Sequence, residues 1–165
     1  MSDWSVNYME NVALASKTLA PIGLSAFATA MTLGRIFGDR ARNLLGDQKM
    51  IILGGILSLI GLSLALVFPE PYTSITGFFL VGLGLSSIVP IAYSIAGNTK
   101  ELPSGVGLAM VTTVGYTGFL FGPPIIGFIA DWQTLRIALL LVVLLFTTMT
   151  FLGFRYKSVN HGYQA

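Results

Sequence analysis

Apolar residues fall in five long blocks along the chain, with polar and charged residues confined to the short stretches between them. Uncharged runs occupy 18–34, 50–68, 72–99, 102–130 and 137–154. A helix needs roughly 17–25 predominantly apolar residues to cross the hydrocarbon core of a bilayer. The pattern therefore predicts an all-α polytopic fold, a single membrane domain of five transmembrane helices at about 18–37, 49–68, 72–97, 105–130 and 135–154.

Local chemistry refines each block. Pro21 falls in the first turn of the first span, where a missing N–H is tolerated. The Ala, Ser, Thr and Gly content of that span suits close helix packing, whereas the Leu/Ile-rich second span suits lipid. Pro69-Glu70-Pro71 predicts a tight turn, since neither proline can continue a helix. The third span carries Gly77, Gly82, Gly84, Ser86, Ser87 and Pro90, residues tolerated in a membrane helix only if neighbours satisfy the freed backbone groups. In the fourth, Gly122-Pro123-Pro124 predicts a bend. Residues 1–17 are too polar to span; Trp4 and Tyr8, at i and i+4, fit a helix lying at the interface or the end of a spanning helix.

Composition sharpens the class. Charged residues make up 10% of the chain, against about 25% in soluble domains. Mean hydropathy is +0.79. The pI near 9.0 does not imply nucleic acid, because the nine Lys and Arg are scattered over short links without an aromatic platform. There is no cysteine, so disulfides and thiolate metal sites are excluded; metal ligands are otherwise lacking, and no cofactor is expected. Residues 1–17 contain Asp3 and Glu10 and no apolar signal-peptide core. Alternating the spans places Arg35, Arg40, Arg42, Lys49, Lys100, Arg155 and Lys157 on one side, seven cations, and Lys17 and Arg136 on the other. The positive-inside rule makes the seven-cation side cytoplasmic, with an external amino terminus and a cytoplasmic tail at 155–165.

The densest charge lies in Gly34-Arg35-Ile36-Phe37-Gly38-Asp39-Arg40-Ala41-Arg42, read as a link between two spans. Arg-x-x-Gly-Asp-Arg there resembles the cytoplasmic loop signature of the major facilitator superfamily, commonly Gly-x-x-x-Asp-Arg-x-Gly-Arg-Arg. Asp39 and Arg40 match; Gly34 lies one residue too far upstream, and no glycine precedes Arg42. Gly118-x-x-x-Gly122-Pro123-x-x-x-Gly127 is similar to the family's Gly-Pro motif, with Ile126 in place of the first glycine of the closing pair. Asp3-Trp4-Ser5 followed by Tyr8 resembles the late part of helix seven in bacterial fucose-permease-like members.

The resemblance implies helices eight to twelve of a twelve-helix transporter plus the end of helix seven, as a truncated or split reading frame would leave. It also implies secondary transport of a small solute, such as a sugar, by two halves rocking about a central site in the plasma (inner) membrane. The implied partners are the bilayer, the solute, and a missing amino-terminal half or a second copy; the chain alone is expected to be inactive. Gly34, Arg35, Gly38, Asp39, Arg40 and Arg42 would form a cytoplasmic latch, and Gly118, Gly122, Pro123 and Gly127 a gating bend. Asp3, Trp4, Asn7 and Tyr8 would line the solute path. Ser86, Ser87, Tyr93 and Asn98 suit interhelical hydrogen bonds, and His161 in the tail has no expected role. A five-helix scaffold or assembly subunit is the competing reading. An enzyme is not expected: Asp39 and Asp131 sit at opposite ends of spans, unlike an aspartyl protease pair, and no histidine lies in a span for a rhomboid-type serine protease.

Overall fold

The computed structural model describes residues 2–99 and 102–156, with side chains from Trp4 onward. Lys100, Glu101, the tail containing Lys157 and His161, and the side chain of Asp3 lie outside the described residues. The chain forms α1 (Ser2–Asn11), α2 (Ala20–Leu45), α3 (Asp47–Val67), α4 (Pro71–Leu85), α5 (Ile88–Gly97), α6 (Ser104–Trp132) and α7 (Leu135–Arg155), with no strand among the described residues. Five stretches are long and apolar enough to span a membrane: α2, α3, α4 with α5 (Pro71–Gly97), α6 and α7. The molecule is an integral, multi-pass membrane helix bundle.

Helix ends follow local chemistry. Pro21 and Pro71 sit in the first turns of α2 and α4. Thr134 caps α7, its side chain accepting a hydrogen bond from the Ile137 N–H at 3.3 Å. Gly46 alone joins α2 to α3; its φ of +80° is one that residues with a Cβ adopt only under strain.

α3 is the hub, packed along α4 on one side and α7 on the other, while α2 packs along α4. Small residues set these approaches. A Cβ on Gly61 would lie 2.5 Å from the Gly77 carbonyl oxygen, and one on Gly77 would lie 2.5 Å from that of Gly61. Gly54 and Gly84 oppose each other in the same reciprocal way two helical turns along. Gly55 faces Thr150 of α7, and Gly82 faces the Phe27 carbonyl of α2. With no apolar-from-water drive between helices in lipid, close backbone approach is what supplies contact energy. Tyr8, Met9, Phe27, Phe78 and Val81 form the core that ties α1 to α2 and α4.

Two expectations are corrected here. Gly34 through Arg42 is not a link: α2 continues to Leu45, eight residues past the expected end at 37, so the charged signature is helical. The break falls instead in the third span, where α4 stops at Leu85 and α5 restarts at Ile88. Ser86 bridges it by donating its hydroxyl to the Leu83 carbonyl at 2.7 Å. Pro90 lies just inside α5, in a first turn that needs few N–H donors. α6 runs through Pro123 and Pro124 as one continuous helix.

Candidate functional site

The candidate residues gather at two places. At one end of the bundle the close of α2, the start of α3 and the ends of α5 and α7 converge around Arg42. Its guanidinium grips Asp47 with two parallel bonds, Nε to Oδ1 and Nη2 to Oδ2, the second at 3.1 Å. Nη2 also donates to Ser94 Oγ of α5 at 2.8 Å. Gln48 Nε2 donates to the Gly153 carbonyl of α7 at 3.4 Å. Arg42 lies in the last turn of α2 and Asp47 in the first turn of α3, so each charge also complements its own helix dipole. The fork geometry adds direction to this pair. One arginine thereby fastens three spans.

The remaining members of the charged signature are placed differently. Gly34 and Gly38 give α2 room to lie against Ser86 and Ser87 at the α4–α5 break. Arg35, Asp39 and Arg40 are exposed. Arg35 Nη2 rests 3.7 Å from Met31 Sδ, and Asp39 and Arg40 make no side-chain hydrogen bond or ion pair among the described residues. Sequence reading placed the charge cluster but missed Asp47, Ser94 and Gln48. The signal for Asp47 was an acidic residue immediately after a glycine that reverses the chain, five positions beyond Arg42.

Tyr156, just past the end of α7, completes this end. Burial holds its phenol above the ordinary tyrosine value, the Asp47 carboxylate pushes the same way, and Arg42 opposes them. In the unfolded chain the phenol ionises near pH 10. The folded protein keeps its proton to higher pH, so this contribution is fully present below about pH 10 and lost as pH rises through the folded value. Tyr156→Phe is expected to flatten the alkaline limb of a denaturation series run between pH 8 and pH 11. An identical decline in the variant would show that the phenol is not the group responsible.

The second place is the face carrying α1 and α6. Tyr8 has no exposed surface; its hydroxyl donates to the Ala65 carbonyl at 2.6 Å and its ring meets Phe78 edge-on at 5.7 Å. Asn7 is exposed, with its side-chain oxygen accepting from Asn11 Nδ2 at 2.9 Å. Trp4 reaches Gly127 of α6: its ring carbons lie 3.5 and 3.7 Å from where a Cβ would sit. The Trp4 Nε1 donor is buried without a hydrogen-bond partner among the described residues. Tyr93 and Thr112 join α5 to α6 at 3.4 Å.

α6 is the least packed helix. Gly107 is its one buried residue, and among the described residues a Cβ on Gly115, Gly118 or Gly122 would meet nothing within 4 Å. Thr113, Tyr116 and Thr117 are exposed on the other side of the helix. The prolines add a polar demand. In a helix the Leu120 carbonyl looks to residues three and four ahead for a donor, and here both are proline. Leu120 lies mid-span, where an unsatisfied carbonyl against hydrocarbon costs several kcal/mol. The surface of α6 around that carbonyl therefore suits protein or a water-filled space, not lipid.

Comparison with known proteins bears on this arrangement. The family model described as Major Facilitator Superfamily matches residues 4–164. An uncharacterized MFS-type transporter of Yersinia pestis is 42% identical over 149 residues, covering 90% of this chain and 39% of its own length. Membrane protein MosC of Rhizobium meliloti is 38% identical over 143 residues, 87% of this chain and 35% of its own. The glucose/mannose transporter GlcP of Bacillus subtilis is 29% identical over 136 residues, 81% of this chain and 32% of its own. The chain thus spans well under half of each of these relatives. No solved structure matches it.

Proposed function

The chain belongs to the Major Facilitator Superfamily, and from that premise we propose that it forms one half of a secondary transporter that moves a small solute by alternating access. The observation that carries this reading is the open surface of α6 at membrane depth, where Gly115, Gly118 and Gly122 on one side have nothing among the described residues packed on them and Thr113, Thr117 and the donor-less Leu120 carbonyl stand on the other. A half-transporter presents such a face to its companion and to the solute path between them. The companion is supplied by the same polypeptide or another. The end carrying Arg42 and Asp47 is the cytoplasmic one in this reading, by its excess of cations.

Roles then divide by geometry. Trp4, whose buried indole N–H lacks a partner among the described residues, and the exposed Asn7 flank the path; Asp3 precedes them on α1. Tyr8 holds α1 to α3. Asp39, exposed on α2, is left for the companion, as the latch that fastens the cytoplasmic side in one state of the cycle. Gly118 and Gly122 let the companion approach α6 closely, whereas Gly127 receives the Trp4 ring.

The test is uptake by cells expressing the chain alone, and with the amino-terminal portion of its Yersinia relative supplied separately. The panel begins with hexoses and organic cations, classes named for other family relatives. Saturable uptake is expected only with both pieces. Asp39→Asn is then expected to lower it at least tenfold. Gly118→Leu and Gly122→Leu should abolish it without destabilising the chain, because helix propensity improves by up to about 1 kcal/mol and no contact is lost. No uptake with both pieces stably inserted would favour a scaffold.

A further inference from the structure

We propose that the groove between α2 and α3 seats an acyl chain of an anionic phospholipid, whose phosphate is drawn to Arg40 and Lys49. The groove is a cavity of about 330 Å³ at the end of the bundle where α2 passes into α3. Phe37 and Ala41 form one wall, Leu53 and Leu57 the other, and the α4–α5 break supplies the floor through Ser86 and Ser87. Its lining runs from Gly34 to Ala41 on α2 and from Met50 to Leu57 on α3, about 10 Å of helix on each side at 1.5 Å per residue.

The groove exists because the helices that bound it are held apart from each other but tight to a third. Gly34 and Gly38 draw α2 onto Ser86 and Ser87, and Gly54 draws α3 onto Gly84, leaving a furrow above the α4–α5 junction. Its outer lips are apolar and open, Phe37 being 57% and Leu53 51% exposed. An apolar furrow of this kind does not hold water, which finds too few polar partners there. A hydrocarbon chain fits both its chemistry and its membrane depth.

Charge identifies the class of lipid. Arg40 is three residues beyond Phe37 and Lys49 four residues before Leu53, so each lies on the same helix face as an outer lip. Both are exposed and make no hydrogen bond or ion pair among the described residues. Their long stems can carry the charges along the lips toward the headgroup layer. Asp39 lies 100° back around α2 from Arg40, farther from the lips, and Asp47 is already neutralised by Arg42. Among the described residues, a phosphate at the mouth therefore meets two available cations and no available anion. This inference rests on the membrane-spanning placement of α2 and α3 and is independent of the transport reading.

The experiment places the purified chain in vesicles containing phosphatidylcholine and a tenth part of a photoreactive-acyl phospholipid, either phosphatidylglycerol or phosphatidylcholine. Peptides covering 34–41 and 50–57 are then examined for label. The phosphatidylglycerol probe is expected to label both, well above the phosphatidylcholine probe. A cation near the surface is worth about fivefold in anionic-lipid binding, so Arg40→Gln with Lys49→Gln should remove most of that excess, about 25-fold. Ala41→Trp, which fills the groove from one wall, should abolish labelling of both peptides by either probe. Equal labelling by both probes, insensitive to the two glutamine changes, would overturn the proposal and leave ordinary annular lipid. Disulfide capture of Leu53→Cys by a cysteine in a co-expressed amino-terminal portion, with loss of lipid label, would overturn it in favour of a protein interface.

Discussion

Gly77→Leu and Gly84→Leu are each expected to leave little folded protein. Both glycines press against the backbone of α3, which cannot yield as a flexible side chain can. Gly77 meets the Gly61 carbonyl, and Gly84 meets the Gly54 carbonyl together with the Ser58 hydroxyl and N–H. A leucine at either site must pry α3 from α4 along the tightest seam of the bundle. Overpacking a core costs about 1–3 kcal/mol where side chains can shift, and more where helices must separate. We expect about 3 kcal/mol or more at these two sites, enough to dominate the stability of a chain this size. The measurement is thermal unfolding in detergent followed by size-exclusion, with Gly118→Leu as the matched control. All three changes put the same side chain at a helical glycine, but Gly118 has open space around it. If the Gly84 and Gly118 variants melted together, the proposed α3–α4 seam would be wrong.

The second large effect concerns Arg42 and Asp47. Their side chains are 27% and 24% exposed, so the pair is neither a screened surface contact nor a sealed one. Removing either partner leaves a half-buried charge, which places the expected cost between the surface and buried limits, about 1–3 kcal/mol for Arg42→Ala. Asp47→Ala should cost less, because Arg42 keeps Ser94 and the carboxyl end of α2. The double variant should cost less than the sum of the two, with a coupling of about 1 kcal/mol that shrinks in high salt. A double-mutant cycle by chemical denaturation at low and at high salt checks this. Strict additivity would mean that the fork contributes nothing beyond its separate ends. Because this cluster joins α2, α3 and α5, its loss should also lower uptake in the two-piece transport assay.

Much of the architecture is written in one-dimensional spacing. A spanning helix must be apolar for about twenty consecutive residues, and charge is so costly inside the bilayer that its positions mark the ends of spans. Hence the all-α class, the five spans and the clustering of cations at one end follow from the order of residues alone. The resemblance to the Major Facilitator Superfamily is legible there too, in Asp39-Arg40 and Gly118-x-x-x-Gly122-Pro123. What hydropathy could not tell is whether a charged stretch bordering a span is loop or helix. Arg35, Asp39, Arg40 and Arg42 are all compatible with helix, and one glycine of positive φ suffices to turn the chain, so α2 extends through the whole signature. Nor could it distinguish two kinds of glycine. Gly84 and Gly118 look alike in sequence, each in an apolar helix with another small residue nearby. Only the tertiary structure shows that Gly84 is pressed against α3 and Gly118 against nothing, because the contact partner of a membrane helix is chosen by shape across the bundle. The Arg42–Asp47–Ser94 cluster was hidden for the same reason: Ser94 stands 52 residues from Arg42, and only the packing of α2, α3 and α5 brings their ends together.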